Sequence, residues 1–309
     1  MPTPPIARES LARLCRDLNA GCTSLRRLGL SATTRIDAQR AVAERVIEGY
    51  SQFGAGAWER LYATKAERNA ALGVLAEAVE SQRIFAGLLS APHNVPASTL
   101  ARWVSGPVDL EQERACDGDT HGRDTAFELL VFALLRECNL NPQWEEPDIA
   151  VTSLGRACLI ACKRPRSMRR INRRFRDACS QIVKSRTRYA ADREPPFGVV
   201  MFSLSKLYDC VPIELPTAED VERDWVYLDA FHTRFAALWE TRRETLLAGV
   251  MFHLLRAGFD LQERLMIQRQ YLSGVGLTHA GPSGGRAMNR IIHALKAVTN
   301  SVRQSPPVR

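Results

Sequence analysis

Residues 147–165 read P-D-I-A-V-T-S-L-G-R-A-C-L-I-A-C-K-R-P, and the way this stretch pairs with itself governs the rest of the chain. Residues 148–153 and 157–163 are short apolar runs, and Leu154-Gly155-Arg156 between them has the composition of a tight turn. The spacing predicts a β-hairpin whose second strand is closed by Pro165. Alternation along that strand puts Leu159, Ala161 and Lys163 on one face and Cys158, Ile160 and Cys162 on the other. When the hairpin folds, Asp148 at the start of the first strand comes beside Ala161 and Lys163. An acid at a strand start beside a lysine at its neighbour's end can hold a divalent ion and orient a water, the two requirements of phosphodiester hydrolysis. Two places before the lysine, where a second acid would make a metal site, stands Ala161.

The flanking segments place the hairpin in an α/β core. Residues 124–138 form a strongly apolar helix, with Phe127, Leu130, Val131, Leu134 and Leu135 on one side and Phe132 on a second; Asn141-Pro142 stops it. Residues 143–146 read as a short strand. Beyond the hairpin, 168–190 is a long basic helix with Ile171, Phe175, Ala178 and Ile182 on one face. The run F-G-V-V-M-F-S-L at 197–204 is unbroken, as in a strand covered on both sides. Strand, long helix and apolar strand imply a crossover to a parallel neighbour. The order is helix, three strands, helix, strand.

On either side the sequence reads as helices. Residues 1–115 are assigned to a helical N-terminal domain, with helices at 10–20, 36–50 and 63–89 and loops at 54–56 and 91–96. A polar run at 111–123 reads as a linker into the core, 116–210. After Pro212 the helical pattern returns, giving a helical C-terminal domain over 211–309. Its segments are 218–240, extended toward 255, then 261–272, and 286–302 after a flexible Gly-Pro-Ser-Gly-Gly loop at 281–285, with a mobile tail at 305–309. The apolar stretch 246–259 is expected to pack inside that domain, the alternative being a homodimer contact or a protein partner.

Composition excludes several classes of protein. With 45% hydrophobic and 25% charged residues, the chain is globular rather than disordered. No basic start followed by an apolar run marks a signal peptide. The most apolar segment, 246–259, is interrupted by His253 and Arg256 and is too short to cross a bilayer, so no membrane partner is expected. The eight cysteines lack C-x-x-C pairs, which fits reduced thiols in a cytoplasm and argues against a disulfide frame or zinc site. The six histidines are scattered and read as structural or surface residues.

The net charge of +8 is concentrated in one place. Between Lys163 and Arg188 there are eleven basic residues against one acid, Asp177, a surplus of ten, so the remainder of the chain sums to −2. Such a patch suits a polyanion, of which the phosphate backbone is the commonest. Its arginines Arg164, Arg166, Arg169, Arg170, Arg173 and Arg174 are the candidate backbone contacts, giving affinity without sequence choice.

This arrangement resembles the PD-(D/E)xK nuclease superfamily, the restriction endonuclease-like fold. The resemblance covers 123–204 and rests on Pro147-Asp148, on Ala161-Cys162-Lys163-Arg164-Pro165, on the preceding helix with Glu128, and on the helix around Ala178-Cys179-Ser180-Gln181. It implies an α/β core of restriction endonuclease type, flanked by the helical domains. The implied activity is a magnesium- or manganese-dependent nuclease acting on DNA rather than RNA, and by analogy a part in defence against foreign DNA. Asp148, Glu128 and the backbone carbonyl of Cys162 would hold the metal, Lys163 would act on the attacking water or the phosphate, and Gln181 would contact the nucleic acid or support the site. Position 161 departs from the pattern, which has Glu or Asp there. Magnesium binds through hard oxygens, one or two of them carboxylates, so the loss of one weakens the site greatly. Three explanations compete: an acid relocated to Glu145 or Glu146, a degenerate nuclease that binds without cutting, or an alanine put in place of a glutamate. The intact Asp148 and Lys163 favour the third. Glu128 has a second reading, as the end of a capping box begun by Thr125. The rival function is a non-catalytic nucleic-acid-binding or assembly protein on the same core.

Overall fold

The computed structural model describes residues 7–30, 34–89, 94–106, 121–189, 195–208, 218–241, 247–260, 265–277 and 281–299. The linker at 111–120, the boundaries at 115/116 and 210/211 and the tail at 305–309 lie outside the described residues. In chain order the elements are β1 (Ala7–Ser10), α1 (Leu11–Arg27), α2 (Thr34–Phe53), α3 (Ala57–Leu61), α4 (Lys65–Leu89), α5 (Ala97–Val104) and α6 (His121–Glu137). Then come β2 (Gln143–Glu145), β3 (Asp148–Ser153), β4 (Arg156–Lys163), α7 (Ile171–Arg186), β5 (Phe197–Ser203), α8 (Ala218–Glu240), β6 (Leu247–Asp260), β7 (Leu265–Gly276) and α9 (Gly281–Thr299).

The strands form one mixed α/β sheet in the order β1-β7-β6-β5-β4-β3-β2. β4, β5 and β6 run parallel, and the remaining pairs are antiparallel. The hairpin forms as its sequence predicts. Ser153 pairs with Arg156, leaving a two-residue turn in which Leu154 (φ 54°) and Gly155 (φ 78°) both take the left-handed conformation of a primed hairpin turn.

Each face of the sheet has its own core. Ile149, Val151, Cys158, Ile160, Cys162, Val199 and Met201 pack with α1, α2, α4, α6 and α9. Ala161, Val200 and Phe202 face the other way, under Ile171, Phe175 and Ile182 of α7 and Leu228, Phe231 and Trp239 of α8. The N-terminal helices therefore do not stand apart: one apolar cluster runs from Leu11 to Leu295.

Two helical expectations in the C-terminal third are corrected. Of the expected helices at 246–259 and 261–272, the described residues 247–259 and 265–272 are strand, since β6 and β7 form a long antiparallel pair that extends the sheet. β6 is an interior strand, so both its faces are apolar: Met251 enters the first core, while Val250, Phe252 and Leu254 enter the second. Such a run has no period of two and, at fourteen residues, has the length of a helix. It is accordingly a core element within this chain rather than a surface for a second subunit. The Gly-Pro-Ser-Gly-Gly stretch is not a loop but the first turn of α9, where a proline lacks no needed donor. At the other end, Ala7–Ser10 adds a strand to the edge of β7 that the helical reading did not contain.

α4 crosses α6 closely at Gly87. A Cβ there would lie 2.4 Å from the Ala133 Cβ and 2.6 Å from its Cα. Gly87→Ala gains up to about 1 kcal/mol of helix propensity, but forcing apart two packed helices outweighs it. The variant is expected to lose about 1–3 kcal/mol, read as a lower urea midpoint at unchanged slope.

Candidate functional site

The hairpin register, 149 against 160, continues one step to set Asp148 opposite Ala161, at the end of the sheet where β4 and β5 finish. The Cys162 N–H donates to Asp148 Oδ2 at 2.6 Å. Lys163 Nζ donates to the same oxygen at 3.3 Å and to the Cys162 carbonyl at 2.8 Å. Both side chains are nearly enclosed, Lys163 10% and Asp148 11% exposed, so this is no solvated strand-end lysine. Burial pushes the Asp148 carboxyl up to about 6 against the opposing pull of Lys163 and the Cys162 amide, with Glu146 adding a smaller push.

Glu128, on α6, reaches the same centre from the other layer. Burial and then the charge of Asp148 raise it to about 8, with Lys163 drawing it down. Its capping-box reading fails, because α6 begins at His121 and Thr125 lies buried inside the helix. The helix start also takes in residues 121–123 of the expected linker.

Ala161 is 0% exposed and sits among Ile171, Phe175, Val200 and Phe202. Neither relocated acid takes its place. Glu145 is paired in register with Asp148, but its Oε1 accepts from the Tyr189 hydroxyl at 2.9 Å. Glu146 is 70% exposed and pairs with Arg188 at 2.9 Å. Among the described residues no three His, Cys, Asp or Glu side chains converge as metal ligands. Of the three groups assigned to magnesium, Asp148 and the Cys162 carbonyl accept from Lys163, and burial works against a charged Glu128. With alanine at 161 this set does not fit a resident divalent ion, and no chemical step is derived through one.

The basic segment divides by burial. Arg169, Arg170 and Arg173 are exposed, joined by Arg176, Lys184 and Arg188, while Arg166 and Arg174 are half-buried. Arg173 lies only loosely against Asp177, at 3.9 Å. Arg164 is corrected: it is 7% exposed, turned into the interior, where its charge acts on Glu80, and so cannot serve as a surface phosphate contact. Gln181 stands on the solvent side of α7, ten residues (about 15 Å of helix rise) beyond its start, and is not among the groups acting on Asp148.

A second polar feature was not foreseen from the sequence. Arg35 of α2, nearly sealed, donates to Glu77 Oε2 at 2.7 Å and to the carbonyls of Trp103 and Gly122 at 3.3 Å each. Glu77 Oε1 also pairs with Arg123 of α6. One turn along α4, burial and the Glu77 charge raise Glu80 to about 8, against the pull of Arg123, Arg164 and Arg35. The only signal for this network was a charged residue at an interior helical position, which is legible only once the partner helices are known.

No helix among the described residues is long and apolar enough to cross a membrane. Compared with protein-family models, curated proteins and solved structures, the chain matches none.

Proposed function

We propose that this chain carries the core of a metal-dependent nuclease of the PD-(D/E)xK kind, directed at nucleic-acid phosphodiesters and at DNA in particular. Its cutting centre is interrupted at position 161, so the chain binds without hydrolysing. The observation that carries the reading is the contact of Lys163 with Asp148 across β3 and β4, with Ala161 on the same face and Glu128 reaching in from α6. The exposed cations of α7 supply the affinity. The described cysteines are free thiols, in keeping with a cytoplasmic setting.

Restoring the acid tests it. Ala161→Glu is expected to cleave plasmid DNA with Mg²⁺ or Mn²⁺ where the unaltered chain does not, and Lys163→Ala in that background should abolish the cutting. RNA, assayed alongside, should be cut more slowly. Absence of metal-dependent cleavage by a folded Ala161→Glu chain would sink the nuclease reading.

The second reading, a non-catalytic binding or assembly protein, is favoured by the complete burial of Ala161 in the apolar cluster that also holds Ile171 and Phe175. In that case binding persists in every variant of the centre. Its logarithm should fall against log salt by about 0.9 per phosphate contact, the slope shrinking when Arg169 and Arg173 are changed to Ala.

A further inference from the structure

We infer that Lys163 is the cation of its own site: its ammonium occupies the position between Asp148 and the Cys162 carbonyl that a divalent ion would take. The inference rests on the proposed reading of Asp148, Glu128 and the Cys162 carbonyl as a cation centre, but not on cleavage.

Three observations lead to it. First, the two Lys163 contacts, 3.3 Å to Asp148 Oδ2 and 2.8 Å to the Cys162 carbonyl, go to two of the groups that would ligate a metal, and the third, Glu128, lies within reach of the same charge. Second, the ammonium is nearly enclosed. Burying an unpaired ammonium costs several kcal/mol, and a carboxylate together with a carbonyl offsets that loss. Third, the charges close: one ammonium stands against the one carboxylate in direct contact, so a divalent ion added beside it would find its oxygens taken and a like charge a few ångströms away. An acid at 161 would change this balance by adding a second carboxylate on the same face. With alanine there, Lys163 is the one counter-ion of Asp148 among the described residues.

The consequence runs opposite to the usual role of a lysine beside a metal. Removing it should create an affinity for metal rather than damage one. Lys163→Met keeps most of the stem volume and withdraws the charge. Mn²⁺ binding, followed by electron paramagnetic resonance or calorimetry with no nucleic acid present, is expected to be about tenfold or more tighter in Lys163→Met than in the unaltered chain. Asp148→Asn added to Lys163→Met should return it to the starting value. Should Lys163→Met not fold, Lys163→Gln keeps a donor for Asp148 without the charge and carries the same expectation. The unaltered chain itself should show no rise in Tm with millimolar Mn²⁺, because nothing binds the folded state. Equal Mn²⁺ affinity in the unaltered chain and the neutral variants, or a Tm of the unaltered chain that climbs with Mn²⁺, overturns the inference. These outcomes separate from the nuclease test. A chain that gains Mn²⁺ on losing Lys163 but never cuts as Ala161→Glu refutes the nuclease and leaves the internal cation standing.

Discussion

Glu77→Ala is expected to destabilise the fold by about 3–5 kcal/mol, far more than an ordinary surface substitution, because it takes the shared carboxylate from two buried guanidiniums. Arg35 and Arg123 approach Glu77 from different helices, and all three side chains are almost wholly enclosed. Without the carboxylate, two like charges face each other in a medium that screens them poorly. Arg35 also ties the end of α5 to the start of α6 through the Trp103 and Gly122 carbonyls, so the loss spreads to the helix that carries Glu128. Glu77→Gln keeps one acceptor and should lose less. Adding Arg35→Met to Glu77→Ala should recover part of the loss, since an apolar side chain needs no counter-charge. Urea midpoints of the four chains provide the test. A cost below about 1 kcal/mol for Glu77→Ala would place the ion pair among weak surface pairs and contradict the enclosed geometry.

Stability should fall as pH rises from about 5 to 9, and Glu80→Gln should remove much of that fall. The sign follows from the proton. Glu80 ordinarily titrates near 4.5 but in the fold holds its proton to about 8, chiefly through burial. Between those values the folded chain binds a proton that the unfolded chain has lost, so stability present below 4.5 drains away as pH climbs through 8. Glu128 acts in the same direction over the same range, and Asp148 over a narrower one, to about 6. His253 opposes them at lower pH: burial holds it down to about 3 against an ordinary 6.5, so its contribution is lost as pH falls through that interval. Glu80→Gln is neutral at every pH; it should match the unaltered chain near pH 5 and exceed it at pH 9 by on the order of several kcal/mol. Equal destabilisation at both pH values would mean that Glu80 is ionised in the fold.

The hairpin, the place of its turn and the division of β4 into two faces were legible because strand alternation is a local property and the turn residues signal themselves, though Arg156, read as part of the turn, already belongs to β4. The crossover through α7 was legible for a related reason, since an amphipathic helix between apolar runs has few other places to go. β6 was not legible: with both faces buried it carries no alternation, and its length mimics a helix. Arg164 was misassigned because its burial, where its charge acts on Glu80 eighty-odd residues away in sequence, is a tertiary matter that leaves no local mark. The contact between Lys163 and Asp148 was expected; that it would also take up the Cys162 carbonyl was not, since a backbone acceptor leaves no mark in the sequence.

The pairing of β1 with β7 has a consequence in time. Ala7 lies opposite Gln268, so the strand at residues 7–10 has no partner until more than 250 further residues have left the ribosome. At roughly 5–20 residues per second this is a wait on the order of tens of seconds. Through that interval the helical layer from Leu11 onward can assemble by local contacts, while the backbone donors and acceptors of residues 7–10 stay unpaired. The hairpin of β6 and β7 thus joins β5 on one side and β1 on the other.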